Sequence, residues 1–352
     1  MVARIRKSDS KNFILLLLVS LLFLLNFMFQ SKSDDFRNTL KSKNLTSAKG
    51  WISYEEANEN VFKPFGYEIT EESYPIPKLR KIENQSCATV NEEWLTIAMR
   101  DQNMTEPPKN IPNSQEDLYS LNGYMHMQFR YMNDRKVGTN HPVHWNDISY
   151  RMKSPPMDNY AEDAKSINNA MKAIDVKNQS GLVVGSLSPW VEVYALKNGA
   201  SHLLTVEYTT IIVEEKWKHQ VETILPIDFV KQFEKFANSF DFVATFSSIE
   251  HSGLGRFGDP MDPIGDFREM QKIRCALKKG GILFLGIPIG VDGIMFNLHR
   301  IYGQLRLAMM FSGFDWIATY SGTSENPIDL TETVTKLKPM EYVQYTLVLK
   351  KL

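Results

Sequence analysis

The chain has 352 residues, 43% of them hydrophobic and 23% charged, with 40 basic residues against 41 acidic ones. A formal net charge of -1 excludes the basic footprint of a nucleic-acid binder, and the apolar content excludes a disordered chain. Two cysteines, Cys87 and Cys275, exclude both a disulfide framework and a four-cysteine zinc site. They form one bridge or none, and Cys275 reads as a buried free thiol on a helix.

The N-terminus comes first in chain order. Phe13 to Phe29 is an apolar run broken only by Ser20 and Asn26, and as a helix it spans about 26 Å, enough for a thin secretory-pathway membrane. Arg4, Arg6, Lys7 and Lys11 precede it, whereas Lys32 and Arg37 on the far side are offset by Asp34 and Asp35. The positive-inside bias then leaves residues 1–12 cytosolic, 13–30 as a signal anchor and the body lumenal. The run exceeds the roughly 7 to 15 residues of a signal-peptide core, which favours an anchor. A cleaved signal peptide, with Ser31 and Ser33 as small residues after the core, is the competing reading and would make the body secreted. Sequons at Asn44, Asn84, Asn103 and Asn178 permit glycosylation on that side.

Residues 31–50 read as a flexible polar stem. Residues 51–176 read as a helical, loop-rich extension packed on the domain that follows. Within it, Glu106–Ser114 interrupts regular structure, Ser114 and Asp117 predict the start of a helix over Leu118–Asn133, and a further helix is expected over Asn159–Ile174.

From residue 177 to 352 strands and helices alternate. Strands are predicted at Leu182–Gly185, His202–Glu207, Glu222–Pro226, Asp241–Phe246 and Ile282–Ile287. Helices are predicted from Ser188 and Pro189 up to Gly199, over Phe229–Ala237, and over Pro263–Lys278, where Ile264, Phe267, Met270, Ile273 and Leu277 share one face. Leu298–Phe311 reads as helix, and Phe314–Tyr320 with Tyr342–Lys350 as a closing antiparallel strand pair. Repeated strand–helix–strand units predict an α/β, Rossmann-like three-layer sheet.

That order resembles the class I S-adenosylmethionine-dependent methyltransferase fold, with its seven-stranded sheet, over residues 177–352. Three segments carry the resemblance: FDFVATFSSIEHSGLG from Phe240, similar to the fourth strand and its loop; LKKGGILFLGIP from Leu277, similar to the paired-glycine turn and fifth strand; and LLTVEY, which places Glu207 at the end of the second strand. The resemblance implies S-adenosylmethionine as cofactor, held by Gly185, Ser186, Glu207, Asp228 and Ser247, with Glu207 on the ribose and Asp228 on the adenine. A carboxylate at that strand end is placed to accept both ribose hydroxyls. The first loop departs from the pattern: Val183, Gly185, Leu187 and Pro189 stand where that family has an acid and alternate glycines. More narrowly, Glu250–Asp266 resembles a family of membrane-anchored nematode proteins defined by a domain of unknown function.

His251, following the strand-four end, is the expected catalytic base with Glu250 beside it, since an imidazole of ordinary pKa near 6.5 accepts a hydroxyl proton. Asp259, Asp262 and Asp266 crowd the same loop and offer oxygen ligands for Mg²⁺ or Ca²⁺, although Asp262 before Pro263 also suits a helix cap. Arg256 either meets an anionic acceptor or pairs with these acids. His141 and His144 have a possible metal spacing, weakened by Pro142, and Trp190, Trp217 and Trp316 read as core. The expected function is a membrane-anchored O-methyltransferase of the secretory pathway acting on a glycan or other hydroxyl-bearing acceptor. The alternative is a non-catalytic binding or scaffold protein on the same fold. A glycosyltransferase is disfavoured because no Asp-x-Asp triplet occurs.

Overall fold

A computed structural model of the protein describes residues 44–134, 142–154, 160 and 162–352. The expected anchor over residues 13–29 lies outside them, and no helix among the described residues is long and apolar enough to cross a membrane. Residues 46–352 form one compact unit, in which the extension and the strand–helix half are not separate bodies.

The core is a seven-stranded sheet. In chain order its strands are β1 (Ser180–Val184), β2 (His202–Val206), β3 (Val221–Ile224), β4 (Phe240–Phe246), β5 (Leu277–Gly290), β6 (Phe314–Ser321) and β7 (Tyr342–Lys351). Their spatial order is β3-β2-β1-β4-β5-β7-β6. The first five pair in parallel, with Val183 opposite Ala244 and Ala244 opposite Phe284. β7 runs antiparallel to both β5 and β6. This matches the expected seven-stranded, methyltransferase-type α/β sheet, with the closing strand pair where the sequence placed it.

Alternation along each strand divides its side chains between two layers. Val183, Phe242, Ala244, Phe284 and Val348 share one buried cluster with Ile167, Met171, Val191 and Leu196. The last four belong to α2 (Lys165–Ile174) and α3 (Trp190–Lys197). The other face receives α5 (Gly265–Ala276), against which α1 (Cys87–Arg100) packs. The amphipathic face expected for α5 is correct, and Phe267, Met270 and Ile273 are buried. α1, in turn, contacts α4 (Pro226–Lys231).

Several expected elements are corrected. The helix proposed over Leu118–Asn133 ends at Ser120, because Leu121, Asn122 and Gly123 all take positive φ. His126–Phe129 is then a strand pairing in parallel with Gly293–Phe296. The helix proposed over Leu298–Phe311 forms only at α6 (Gln304–Met310), since His299–Ile301 pairs antiparallel with the 293–296 strand. Phe229–Ala237 is broken at Gln232, and Pro226 opens α4 instead of ending β3. The expected 159–174 helix begins at Lys165, and its first residues lie partly outside the described ones. The stem is shorter than expected, because Asn44–Ser47 and Gly50–Ser53 are already strands.

Cys275 is not a free thiol. It is bonded to Cys87 across 188 residues of sequence, which ties α1 of the extension to α5 of the sheet domain. No spacing rule reveals such a pairing, because both residues sit on helices whose mutual docking is a tertiary event.

Candidate functional site

The strand order reverses between β1 and β4, and in open α/β sheets a crevice forms outside the carboxyl ends of the strands at such a point. A cavity of about 790 Å³, counted with its open mouth, lies there. Gly185, Glu207, Pro226 and Ser247, just beyond the ends of β1, β2, β3 and β4, all line it.

The first loop turns sharply at Gly185, whose φ is +76°. A Cβ built there would lie 2.0 Å from Ser248 Oγ, so this glycine serves both the left-handed backbone and the close approach of the β1 and β4 loops. The next residues replace missing glycines with an acid-centred network. The Ser186 N–H donates to Glu207 Oε2 (2.9 Å), and the Tyr208 N–H donates to Glu207 Oε1 (2.7 Å). Ser186 Oγ lies 3.0 Å from Glu192 Oε2, and the Thr205 hydroxyl donates to Glu192 Oε1 (2.8 Å). The Thr209 backbone N–H also reaches this carboxylate, which has about four acceptor sites in all, and the residue is 8% exposed at the cavity wall. Burial raises the Glu207 carboxyl above its usual range and pushes Glu192 up to about 7. Glu192 escaped sequence reasoning: an acid inside an otherwise apolar helix was its one signal.

Bulky residues in this loop do not fill the cavity. Leu187 is 39% exposed, at the cavity's edge, and Trp190 is turned into the core against Phe246 and Tyr160. Its assignment as a core residue stands. Trp217 is partly buried against the same cluster, its indole N–H donating to Ser149 Oγ, and the Trp316 indole bonds Thr319.

His251 reaches the cavity from the turn after β4. Its Nδ1 lies 2.7 Å from the Leu298 carbonyl oxygen; a carbonyl only accepts, so Nδ1 carries the proton and Nε2 is the acceptor. Burial, with Arg256 nearby, pushes the imidazole down to about 3. An ordinary pKa near 6.5 was expected, and the buried setting overturns that. Glu250 Oε1 lies 3.9 Å from His251 Nε2. Burial pushes this carboxyl up to about 7, and its Oε2 has no hydrogen-bond partner.

The three aspartates do not form a metal site. Asp259 Oδ2 accepts the N–H groups of Gly253, Leu254 and Gly255 at 2.8 to 2.9 Å, folding its own loop. Asp262 accepts from the Ile264 N–H and from Arg268 Nε. Asp266 is fully buried, takes two bonds from Arg306 and one from the Tyr302 hydroxyl, and is held below the usual carboxylate range by Arg300 and Arg306 against the opposing effect of burial. No cluster able to hold a metal occurs among the described residues. Arg256 pairs with Asp134 (2.7 Å), outside that acidic run. His144 is exposed on a short strand, and His141 lies outside the described residues.

Of the remaining predicted residues, Ser247 lines the cavity, while Asp228 sits in the first turn of α4, away from the lining that Pro226 provides. The sequons at Asn84, Asn103 and Asn178 are exposed, and Asn44 is half-buried. Several lining residues were missed, Tyr208, Ser248 and a charged pair among them. Glu269 and Lys272 of α5 form a buried ion pair (2.6 Å), and Lys272 Nζ lies 4.0 Å from the centre of the Trp94 ring. In sequence they look like an ordinary solvated i, i+3 pair.

A doubly wound sheet with a cavity at its switch point and an acid at the end of its second strand defines an α/β domain with an open crevice where such sheets place their ligands. Residues 178–352 match the family profile described as "Caenorhabditis protein of unknown function, DUF268". Comparison with curated proteins gives no match. Among solved structures, the chain is similar to the Burkholderia thailandensis 1,6-didemethyltoxoflavin-N1-methyltransferase with bound 1,6-didemethyltoxoflavin and S-adenosylhomocysteine. That likeness has 12% identity, covers 58% of this chain and 85% of the other, and has a TM-score of 0.39. The cyclase SpnF is similar at 13% identity, over 64% of this chain and 98% of that one, with a TM-score of 0.37. Likenesses this remote carry no argument about what the chain binds or does.

Proposed function

We propose that the protein is an S-adenosylmethionine-dependent O-methyltransferase of the secretory pathway that acts on a hydroxyl-bearing acceptor such as a glycan. The observation that carries this reading is the position of Glu207, which lines an open cavity at the switch point and keeps acceptor capacity beyond its three backbone donors. The residues fit the cofactor. Gly185 gives bare backbone, Glu207 gives acceptors for the ribose hydroxyls, and neither Leu187 nor Trp190 blocks the space. When bound, the cofactor supplies an electrophilic methyl group on sulfur.

The protein's share of the chemistry is alignment and proton management. The Nδ1–H bond to Leu298 fixes the tautomer of His251 and burial keeps the ring neutral, so Nε2 accepts a hydrogen bond from an acceptor hydroxyl and orients it. With its pKa pushed to about 3, this imidazole is a poor final seat for the proton. Glu250, raised to about 7, holds a proton better at neutral pH, and the two act as a pair.

The Cys87–Cys275 bond supports an oxidising compartment, as the apolar run over residues 13–29 does. A second reading, a non-catalytic binding protein, draws support from Leu187 and Pro189 in the first loop. Incubation with methyl-labelled S-adenosylmethionine and secreted glycoproteins separates the two. Label that becomes acid-stable on glycan supports the enzyme, whereas cofactor binding without any transfer to glycan or water supports the second reading.

A further inference from the structure

Two charged residues of the switch-point cavity take no part in the proton management given to His251 and Glu250. The cavity's walls follow the strand order, with Pro226 beyond β3, Glu207 beyond β2, Gly185 beyond β1 and His251 beyond β4. A nucleoside that lays its ribose on Glu207 and its far end toward His251 places its base toward Pro226. Asp228, the residue expected there, is exposed in the first turn of α4 and does not line the cavity. Glu269 and Lys272 of α5 do. Lys272 belongs to the Pro226 end: it lies over Trp94 of α1, the helix that contacts α4, and it shares a small hollow with Phe229 of α4.

The pair is buried and incompletely bonded. Glu269 is 8% exposed and Lys272 7%. Lys272 Nζ and Glu269 Oε1 hold each other at 2.6 Å, and among the described residues neither side chain makes another hydrogen bond. An ammonium has three donors and a carboxylate about four acceptor sites, so both keep capacity at the cavity wall. Burial lowers the Lys272 amine against the opposing pull of Glu269. A buried charge with a single partner remains short of the bonds it had in water, and a polar ligand can supply them.

A carboxylate beside an ammonium complements a heteroaromatic edge that carries an amino group next to a ring nitrogen. The amino N–H donates to the carboxylate, and the ring nitrogen accepts from the ammonium. Adenine has such an edge. We propose that Glu269 and Lys272 read the base of the bound nucleoside, Glu269 accepting from the exocyclic amino group and Lys272 donating to a neighbouring ring nitrogen. The role expected of Asp228 thereby passes to α5. This assignment rests on the adenosyl reading of the cavity.

The test is calorimetry of the full-length protein with S-adenosylhomocysteine and three analogues of it: one without the 6-amino group, the 1-deaza compound and the 7-deaza compound. Loss of the amino group should weaken binding at least about tenfold, and loss of one of the two ring nitrogens at least about fivefold. In Glu269→Ala the amino-group penalty should fall below about threefold, and in Lys272→Met the ring-nitrogen penalty should do the same. A purely structural ion pair would instead weaken all four ligands alike and leave the penalties unchanged. Full-strength binding of the analogue without the amino group by the parent protein would overturn the assignment, leave the adenosyl reading intact, and require no variant to fold. Full-strength binding of both deaza compounds would overturn the share given to Lys272, and unchanged penalties in both variants would overturn the whole assignment. No binding of S-adenosylhomocysteine by the parent would overturn this assignment and the adenosyl reading together.

Discussion

Two acid-bearing loops meet at the same edge of the sheet and use their carboxylates in opposite ways. Around β1 and β2, Glu192 and Glu207 are buried among hydroxyls and backbone N–H groups, with no cation among the described residues bonded to either. Burial therefore raises both, and Glu207 keeps acceptor capacity toward the cavity. In the loop before and into α5, Asp262 and Asp266 are neutralised by Arg268 and Arg306, and Asp259 is spent on four backbone donors. That second group holds the loop together, and of its members only Asp259 also borders the cavity. The density of acids in a sequence thus says little about where a ligand binds; the sign and number of their partners decide it.

The largest expected effect breaks the scaffold side of that contrast. Asp266→Asn leaves Arg306 and Arg300 buried beside a neutral amide, so unfolding in urea should show a loss of about 3–5 kcal/mol. A loss under about 1 kcal/mol would place Asp266 outside the load the structure gives it. On the ligand side, Glu207→Ala removes the acceptors for Ser186 and Tyr208, for a stability cost of about 1–3 kcal/mol. It should also weaken S-adenosylhomocysteine at least about a hundredfold by calorimetry, since two charge-assisted hydrogen bonds are lost.

A pH series sharpens the same comparison. Glu192 is raised to about 7, so between about pH 4.5 and 7 the native state keeps a proton that the unfolded state has released. The native state then binds more protons, and this group's contribution to stability falls as pH rises through that window. Glu192→Gln should therefore be more stable than the parent at pH 8 by about 1–3 kcal/mol, and near parity at pH 4. Equal melting temperatures at both pH values would contradict a raised Glu192. The smallest expected effect concerns metal: adding Mg²⁺, Ca²⁺ or a chelator should leave the melting temperature within about 1 °C, because Asp259, Asp262 and Asp266 are already taken up by backbone N–H groups and guanidinium groups. A rise of several degrees with either ion would reinstate a metal site on the aspartates.

Much of the sheet was legible because its signals are local. Apolar runs such as LVV and LFLGI and the face shared by Phe267, Met270 and Ile273 need no distant partner to be interpreted. The helix expected over Leu298–Phe311 failed because pairing with Gly293–Phe296 outweighed a helix-compatible sequence, an override that only tertiary context supplies. At the site, Gly185, Glu207, Ser247 and His251 come together as their strand-end positions implied. Glu269 and Lys272 could not be anticipated, since only the packing of α5 against the sheet brings them to the cavity wall. The depressed pKa of His251 was equally hidden, because burial is invisible in a lone Glu-His dipeptide.

The central claim is that Glu207 and the open switch-point cavity hold an adenosyl ligand. Calorimetry of the full-length protein with S-adenosylhomocysteine tests it directly, with Glu207→Ala in parallel. The account predicts saturable binding of one ligand per chain in the parent and its loss in the variant. No heat from the parent at millimolar ligand, or equal affinity in the two proteins, would contradict it.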